Sequence, residues 1–257
     1  MWIHNLNPTL LSLGPLEIRW YGIVYVLGFF LSAWWMQYLA KQGRLNLEKD
    51  EIWDFLFYLI LGMLIGARLF MIFWNPAVYL KDPLNLFKIW QGGMSFHGGF
   101  VGIVTAGYFY CKKKNLHFAK MADILSVPTM LGLALGRIAN FINGELVGRV
   151  WNGKWCVVFP DFGDVCRHPS TIYAAIKRFA VFAWLLKLSF WKQFKNGFIF
   201  WNFVFWEGLG RILVDYFRED PIINGFTLGQ WFSLVMVIVA GYFFYKYYRE
   251  DWKKILG

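Results

Sequence analysis

Runs of about 20 predominantly apolar residues recur along this 257-residue chain, and each is long enough to cross roughly 30 Å of hydrocarbon as a helix. The pattern predicts an all-α, polytopic membrane protein with seven spanning helices at 20–39, 52–74, 95–111, 121–143, 172–191, 198–217 and 227–247. These make a single membrane domain covering residues 1–257, with a long connection at 144–171. Composition agrees, since 58% of residues are hydrophobic and only 16% are charged. Trp20, Tyr21, Trp74, Trp231, Tyr247 and Tyr248 fall near span ends, where amphipathic rings anchor at headgroup level. The fifth run is the least regular, because Lys177, Arg178 and Lys187 interrupt it. The first 17 residues lack the basic region and apolar core of a cleavable signal peptide and are expected on the membrane surface ahead of the first span.

Lysine and arginine in the connections set the orientation. Thirteen of them lie on one side, in the connections around 41–49, 112–120, 192–195 and 246–254, and seven on the other, among them Lys81 and Lys88. The bias puts the N-terminus outside and the C-terminus in the cytoplasm. It also explains the formal charge of +10 as a topology signal with some attraction to anionic lipid headgroups, so no nucleic-acid partner is expected.

Polar side chains inside such runs are costly and mark functional sites. The densest cluster ends the fourth run: Gly136-Arg137-Ile138-Ala139-Asn140-Phe141-Ile142-Asn143-Gly144-Glu145-Leu146-Val147-Gly148. An arginine at the centre of a spanning helix costs roughly 3 kcal/mol on insertion scales, so it needs a partner, a water-filled cavity or a charged ligand. With the topology drawn, Arg68, Arg137 with Asn140, and Arg211 with Asp215 fall in the outer halves of spans two, four and six. His97 and Tyr21 open spans on the same side. Five helices thus point to one polar site near the outer leaflet.

Individual residues leave alternatives open. His97, in Gly92-Gly93-Met94-Ser95-Phe96-His97-Gly98-Gly99, could sit in a tight glycine-rich helix start, or its neutral imidazole could accept a proton where glycines let a lipid headgroup approach. Arg68 is expected to pair structurally or to snorkel outward. Glu207, Arg211 and Asp215 recur every four residues on one helical face, either as an ion-pair ladder or as a phosphate-binding arginine oriented by Asp215. Gly62 with Gly66, and Gly132 with Gly136, have the spacing of close helix packing in lipid. Cys111 falls near the cytoplasmic face, while Cys156 and Cys166 share the outer loop, where an oxidising exterior permits a disulfide and a free pair stays open. No Cys or His cluster has metal-ligand spacing, and no P-loop or dinucleotide fingerprint is present.

The segment from Gly136 to Gly148 resembles the signature of the bacterial prolipoprotein diacylglyceryl transferases, with Gly-Arg-x-x-Asn-Phe-x-Asn-x-Glu-x-x-Gly matched without a gap. Further similarity lies in Trp20-Tyr21-Gly22, Gly66-Ala67-Arg68, Ser95-Phe96-His97-Gly98-Gly99, Arg167-His168-Pro169-Ser170, Gly210-Arg211 and Asp215-Tyr216-Phe217-Arg218-Glu219, so it extends from span one to the end of span six. Three departures stand out. The family usually continues Gln-Leu-Tyr-Glu where this chain reads Thr171-Ile172-Tyr173-Ala174; Glu207 replaces a common aromatic; and Asp215 stands where Glu is more frequent.

The resemblance implies transfer of the diacylglyceryl group of phosphatidylglycerol to the lipobox cysteine beside a prolipoprotein signal peptide, at the bacterial inner membrane, with release of glycerol phosphate. A thiol of pKa about 8.5 is only a few per cent thiolate at neutral pH, so His97 is expected to accept its proton. Arg137 would bind the phosphate and offset charge on the leaving oxygen, Arg211 would be a second phosphate ligand held by Asp215, and Asn140 and Asn143 would orient the headgroup glycerol. Tyr21 is a further lipid-binding candidate, and Glu145 would hold Arg137 or serve as the base instead of His97. Neither metal nor organic cofactor is expected. The alternative function is an outward-facing lipid or anion transporter, which should continue polar groups into the cytoplasmic halves of the helices; there 55–61 and 198–205 are almost wholly apolar, Asn202 excepted.

Overall fold

Helices form at all seven expected positions: α1 (Trp20–Lys41), α2 (Lys49–Trp74), α3 (Phe96–Lys113), α4 (Phe118–Ile142), α5 (Ser170–Trp191), α6 (Phe198–Asp215) and α7 (Leu228–Tyr247). Each boundary lies within three residues of its expected place. The computed structural model describes residues 2–13, 16–76, 79, 82 and 94–256. Gly92, Gly93, Lys81 and Lys88 lie outside these. Among the described residues four helices, α1, α2, α4 and α7, are long and apolar enough to cross a membrane, and the chain is an α-helical, polytopic membrane protein. Hydrophobicity did not signal a short final helix, α8 (Arg249–Leu256), or the small sheets in the connections.

The chain divides into two compact units. One comprises residues 33–121. Its central feature is the α2–α3 pair, where a Cβ at Gly62 would meet Gly102 O and Ala106 Cβ at 2.6 Å, and one at Gly66 would overlap the backbone of Gly98. Close backbone approach of this kind is what small residues permit in lipid. Gly98 is therefore occupied by close packing against α2, and Gly99 is in ordinary contact with Met63 and Ala67 of the same helix. Ser95 caps α3, its hydroxyl accepting from Gly98 N at 3.3 Å. Arg68 is buried and donates from Nη1 to Tyr79 Oη at 3.3 Å, so it pairs rather than snorkels.

The other unit comprises residues 1–32 and 122–257. Phe198, Leu188, Phe244 and Tyr248 form one core of this unit, and Trp201 stacks on Phe243 at 4.0 Å between α6 and α7. Asn202, the polar exception in this half of α6, is fully buried and satisfied, donating to Phe198 O at 2.9 Å and accepting from Trp184 Nε1 at 3.1 Å. At the start of α4, the buried Asp123 accepts from Gly197 N at 2.6 Å and Phe200 N at 2.7 Å, capping α6 from a neighbouring helix. The Asn224–Gly225 turn, with φ of 51° and 86°, joins β6 (Ile222–Ile223) to β7 (Phe226–Thr227) as Asn-Gly hairpins do, and Thr227 and Gln230 then form a capping box for α7.

At the N-terminus, β1 (Trp2–Ile3) pairs in parallel with β4 (Val157–Val158), which pairs in turn with β5 (Cys166–Arg167). β2 (Thr9–Leu13) and β3 (Leu16–Arg19) form a hairpin leading into α1. The disulfide Cys156–Cys166 staples β4 to β5 and settles the alternative left open for these cysteines. Gly132 and Gly136 differ: among the described residues of this unit nothing lies within 4 Å of where a Cβ would be, so no helix of the unit packs closely there.

Candidate active site

The signature segment folds back on itself at the end of α4. Gly144, at φ 68°, takes the left-handed conformation that ends a helix, and Glu145 N then reaches Asn140 O at 3.1 Å. This return places the Glu145 carboxylate over the two asparagines, where Oε1 accepts from Asn140 Nδ2 at 2.8 Å and from Asn143 Nδ2 at 3.1 Å. Asn140 Oδ1 accepts from Arg137 Nη1 at 3.2 Å. Each end of the Asn140 amide is thus fixed by a charge, and Glu145 holds Arg137 through Asn140. Leu146, at φ 56°, carries strain of order 1–2 kcal/mol, and Ser170 Oγ donates to its carbonyl at 2.9 Å. His4 donates from Nε2 to Phe141 O at 2.7 Å, satisfying a last-turn carbonyl of α4.

Arg137 lines a cleft of about 300 Å³, counting its open mouth. Lys177 and Arg178 of α5, Arg211 and Asp215 of α6, and Arg218 complete its charged wall. Asp215 is almost fully buried, with Arg211 Nε at 3.5 Å, Arg218 Nη1 at 3.7 Å and the Thr227 hydroxyl donating at 3.2 Å. Gly229 makes this pairing possible, since a Cβ there would lie 2.5 Å from Asp215 Oδ2 and 2.7 Å from Arg211 Nη2. Glu207 does not join Arg211 in a ladder. It turns to α5, where Lys177 and Arg178 both bind its carboxylate. Arg211 keeps one carboxylate partner and a side chain 41% exposed.

The connection after the signature is knitted to the end of α6. Gly148 bridges to Arg218, Arg149 N donates to Phe217 O at 2.9 Å, and Arg167 binds both Glu219 and, at 3.2 Å, Gly148 O. His168 stacks on Trp151 at 4.3 Å, and its Nδ1 lies 3.1 Å from Tyr173 Oη, which accepts from Trp155 Nε1 at 2.9 Å. Burial holds the His168 imidazole below its ordinary pKa, favouring the neutral ring.

Of the sequence candidates, Arg137, Arg211 and Asp215 line one cleft, and Asn140, Asn143 and Glu145 join them by hydrogen bonds. Tyr21 lies outside the lining, exposed, with its hydroxyl 3.4 Å from Tyr25 Oη. His97 belongs to the other unit, on the first turn of α3, with its side chain exposed. Sequence reasoning missed Lys177, Arg178, Arg218 and Gly229. The first two were detectable by the logic that exposed Arg137, because charges inside an apolar run need a reason.

A helical membrane protein with a cleft walled by guanidinium and ammonium groups, one of them on an asparagine–glutamate relay, presents a donor set that suits a phosphate-bearing ligand. The model of one family, prolipoprotein diacylglyceryl transferase, matches residues 8–246. Similar curated relatives include the phosphatidylglycerol–prolipoprotein diacylglyceryl transferases of Geobacter sulfurreducens, 39% identical over 93% of this chain and 95% of that protein, and of Aeromonas hydrophila, 38% identical over 97% and 93%. That of Rickettsia felis is 36% identical over 94% of this chain and 97% of its own. The chain belongs to the prolipoprotein diacylglyceryl transferase family.

Proposed function

We infer that this chain transfers the diacylglyceryl group of phosphatidylglycerol to a cysteine thiol of a prolipoprotein. The observation that carries this reading is the meeting of Arg137 and Arg211 on one cleft in a chain of this family. The transporter alternative has no support from family membership, and the buried, satisfied Asn202 leaves no polar path in its part of α6.

In the reaction, the thiolate sulfur attacks an sp³ carbon of the diacylglyceryl group, a C–S bond forms, and the C–O bond to phosphate breaks. The thiol proton goes to a base and the phosphate leaves as a glycerol phosphate monoester. Arg137, oriented by Asn140 and Glu145, and Arg211, braced by Asp215, supply preorganised donors for charge developing on the leaving oxygen. His97 is assigned the thiol proton. Glu145 Oε1 accepts two amide hydrogens from the asparagines, so it is assigned the anchor of the relay. Asn143 braces that anchor, and Tyr21 presents an exposed ring to lipid. The acceptor is a lipobox cysteine beside a signal peptide, met at the outer leaflet of the inner membrane, with the N-terminus outside and the C-terminus cytoplasmic as the lysine and arginine bias directs.

The test is transfer of labelled diacylglycerol from phosphatidylglycerol to a lipobox peptide by purified protein in detergent. Wild type is expected to form thioether-linked product, with Arg137→Ala and His97→Ala folded but at least about 10²-fold slower. Robust turnover in either variant removes that residue's role, and no product from folded wild type overturns the function.

A further inference from the structure

The charges on α5 have no counterpart in the mechanism above. Lys177 and Arg178 are two cations sharing one carboxylate, Glu207, so this cluster carries a surplus positive charge at the cleft wall. The arrangement is built. The Lys177 stem lies across Gly210, where a Cβ would overlap its Cγ and Cδ region, so the glycine one residue before Arg211 makes room for it. Lys177 Nζ donates to the Glu207 carboxylate and, at 3.4 Å, to Glu207 O, leaving one of its three N–H groups over. Arg178 donates from Nε and Nη2 to Glu207, while its Nη1 is buried without an acceptor among the described residues. Both side chains line the same cleft as Arg137 and Arg211.

Two unused donors and one unbalanced charge beside a phosphate seat suit an anion more charged than a phosphodiester. Resting on the function proposed above, such an anion arises in the reaction itself: the lipid phosphate enters with one negative charge and leaves as a monoester with two. We propose that Lys177, set by Glu207 and Gly210, is a third phosphate ligand, and that with Arg178 it makes the cleft selective for a phosphate dianion over a monoanion. Interactions that strengthen as charge develops accelerate the chemical step rather than ground-state binding. Lys177 thus acts on turnover and on product affinity more than on affinity for phosphatidylglycerol.

The experiment compares inhibition of transfer at pH 8 by glycerol phosphate, a dianion there, and by its methyl diester, a monoanion. Wild type is expected to bind the dianion more tightly. Lys177→Met should reduce that preference about ten-fold, the scale of one charge-assisted hydrogen bond, with kcat lowered and KM for phosphatidylglycerol little changed. The double variant Lys177→Met/Glu207→Gln leaves Arg178 unbalanced and so restores the surplus charge; it should recover the part of the preference that net charge supplies, but not the part that the Lys177 hydrogen bond supplies. An unchanged preference in folded Lys177→Met, or no recovery in the double variant, overturns the proposal, because a Lys177 that merely anchors Glu207 predicts both. Wild type indifferent to charge also overturns it, whereas wild type that forms no thioether product overturns the underlying function instead.

Discussion

Asn140 shows how far one amide can set the geometry of a charged group. Its oxygen meets Arg137 and its nitrogen meets Glu145, so the guanidinium is aimed by a carboxylate it does not touch. Asn140→Leu should leave the fold in place but free Arg137 to wander; misplacement on the order of 1 Å costs about 10²-fold in rate, so kcat is expected to fall by about that much with KM nearly unchanged. Gly229 makes a related point from the other side of the cleft. Gly229→Ala puts a methyl group against Asp215 and Arg211, and a loss of turnover at least about ten-fold, measured with thermal stability alongside, is the expected outcome. The signature spacing made the first of these residues legible, because an arginine, two asparagines and a glutamate ending an apolar run demand explanation. Gly229 was not legible, since nothing local distinguishes it from other glycines; only the approach of α7 to α6 reveals what it admits.

At the scale of helices and strands, the long apolar runs transferred almost unchanged from sequence to structure because helix length and burial in lipid are both properties of local composition. Pairings were harder to read. Gly62 and Gly66 meet a second glycine pair on α3, whereas Gly132 and Gly136, with the same spacing, meet nothing in their unit. Spacing states that a helix can be approached closely, and only the partner's path decides whether it is. Gly66→Leu should overlap the α3 backbone and destabilise that pair by at least about 2 kcal/mol, read as a lowered Tm in detergent, while Gly132→Leu should leave Tm within about a degree or two. The short strands escaped the sequence reading because two-residue ladders carry no periodicity. Their pairing depends on residues far apart in the chain, as when Trp2–Ile3 joins Val157–Val158.

For the molecule as a whole, stability and the site are coupled through the connection that follows the signature. His168 sits in it, packed on Trp151, with its pKa held below the ordinary value of 6.5 by burial. A depressed folded pKa means the unfolded chain takes up the proton first. Its contribution is therefore complete above about pH 6.5 and is lost as pH falls from there toward the lowered value. The Tm of wild type should decline over that window more steeply than that of His168→Gln, and parallel profiles would remove the effect. A more distant dependency follows from Asp123, which grips the first backbone groups of α6 from the first turns of α4. Arg137 stands fourteen residues beyond Asp123, and Arg211 stands fourteen beyond Gly197. At 1.5 Å per residue both arginines stand roughly 21 Å above a shared benchmark, so a carboxylate at the far end of the helices levels the two guanidiniums proposed to grip the phosphate.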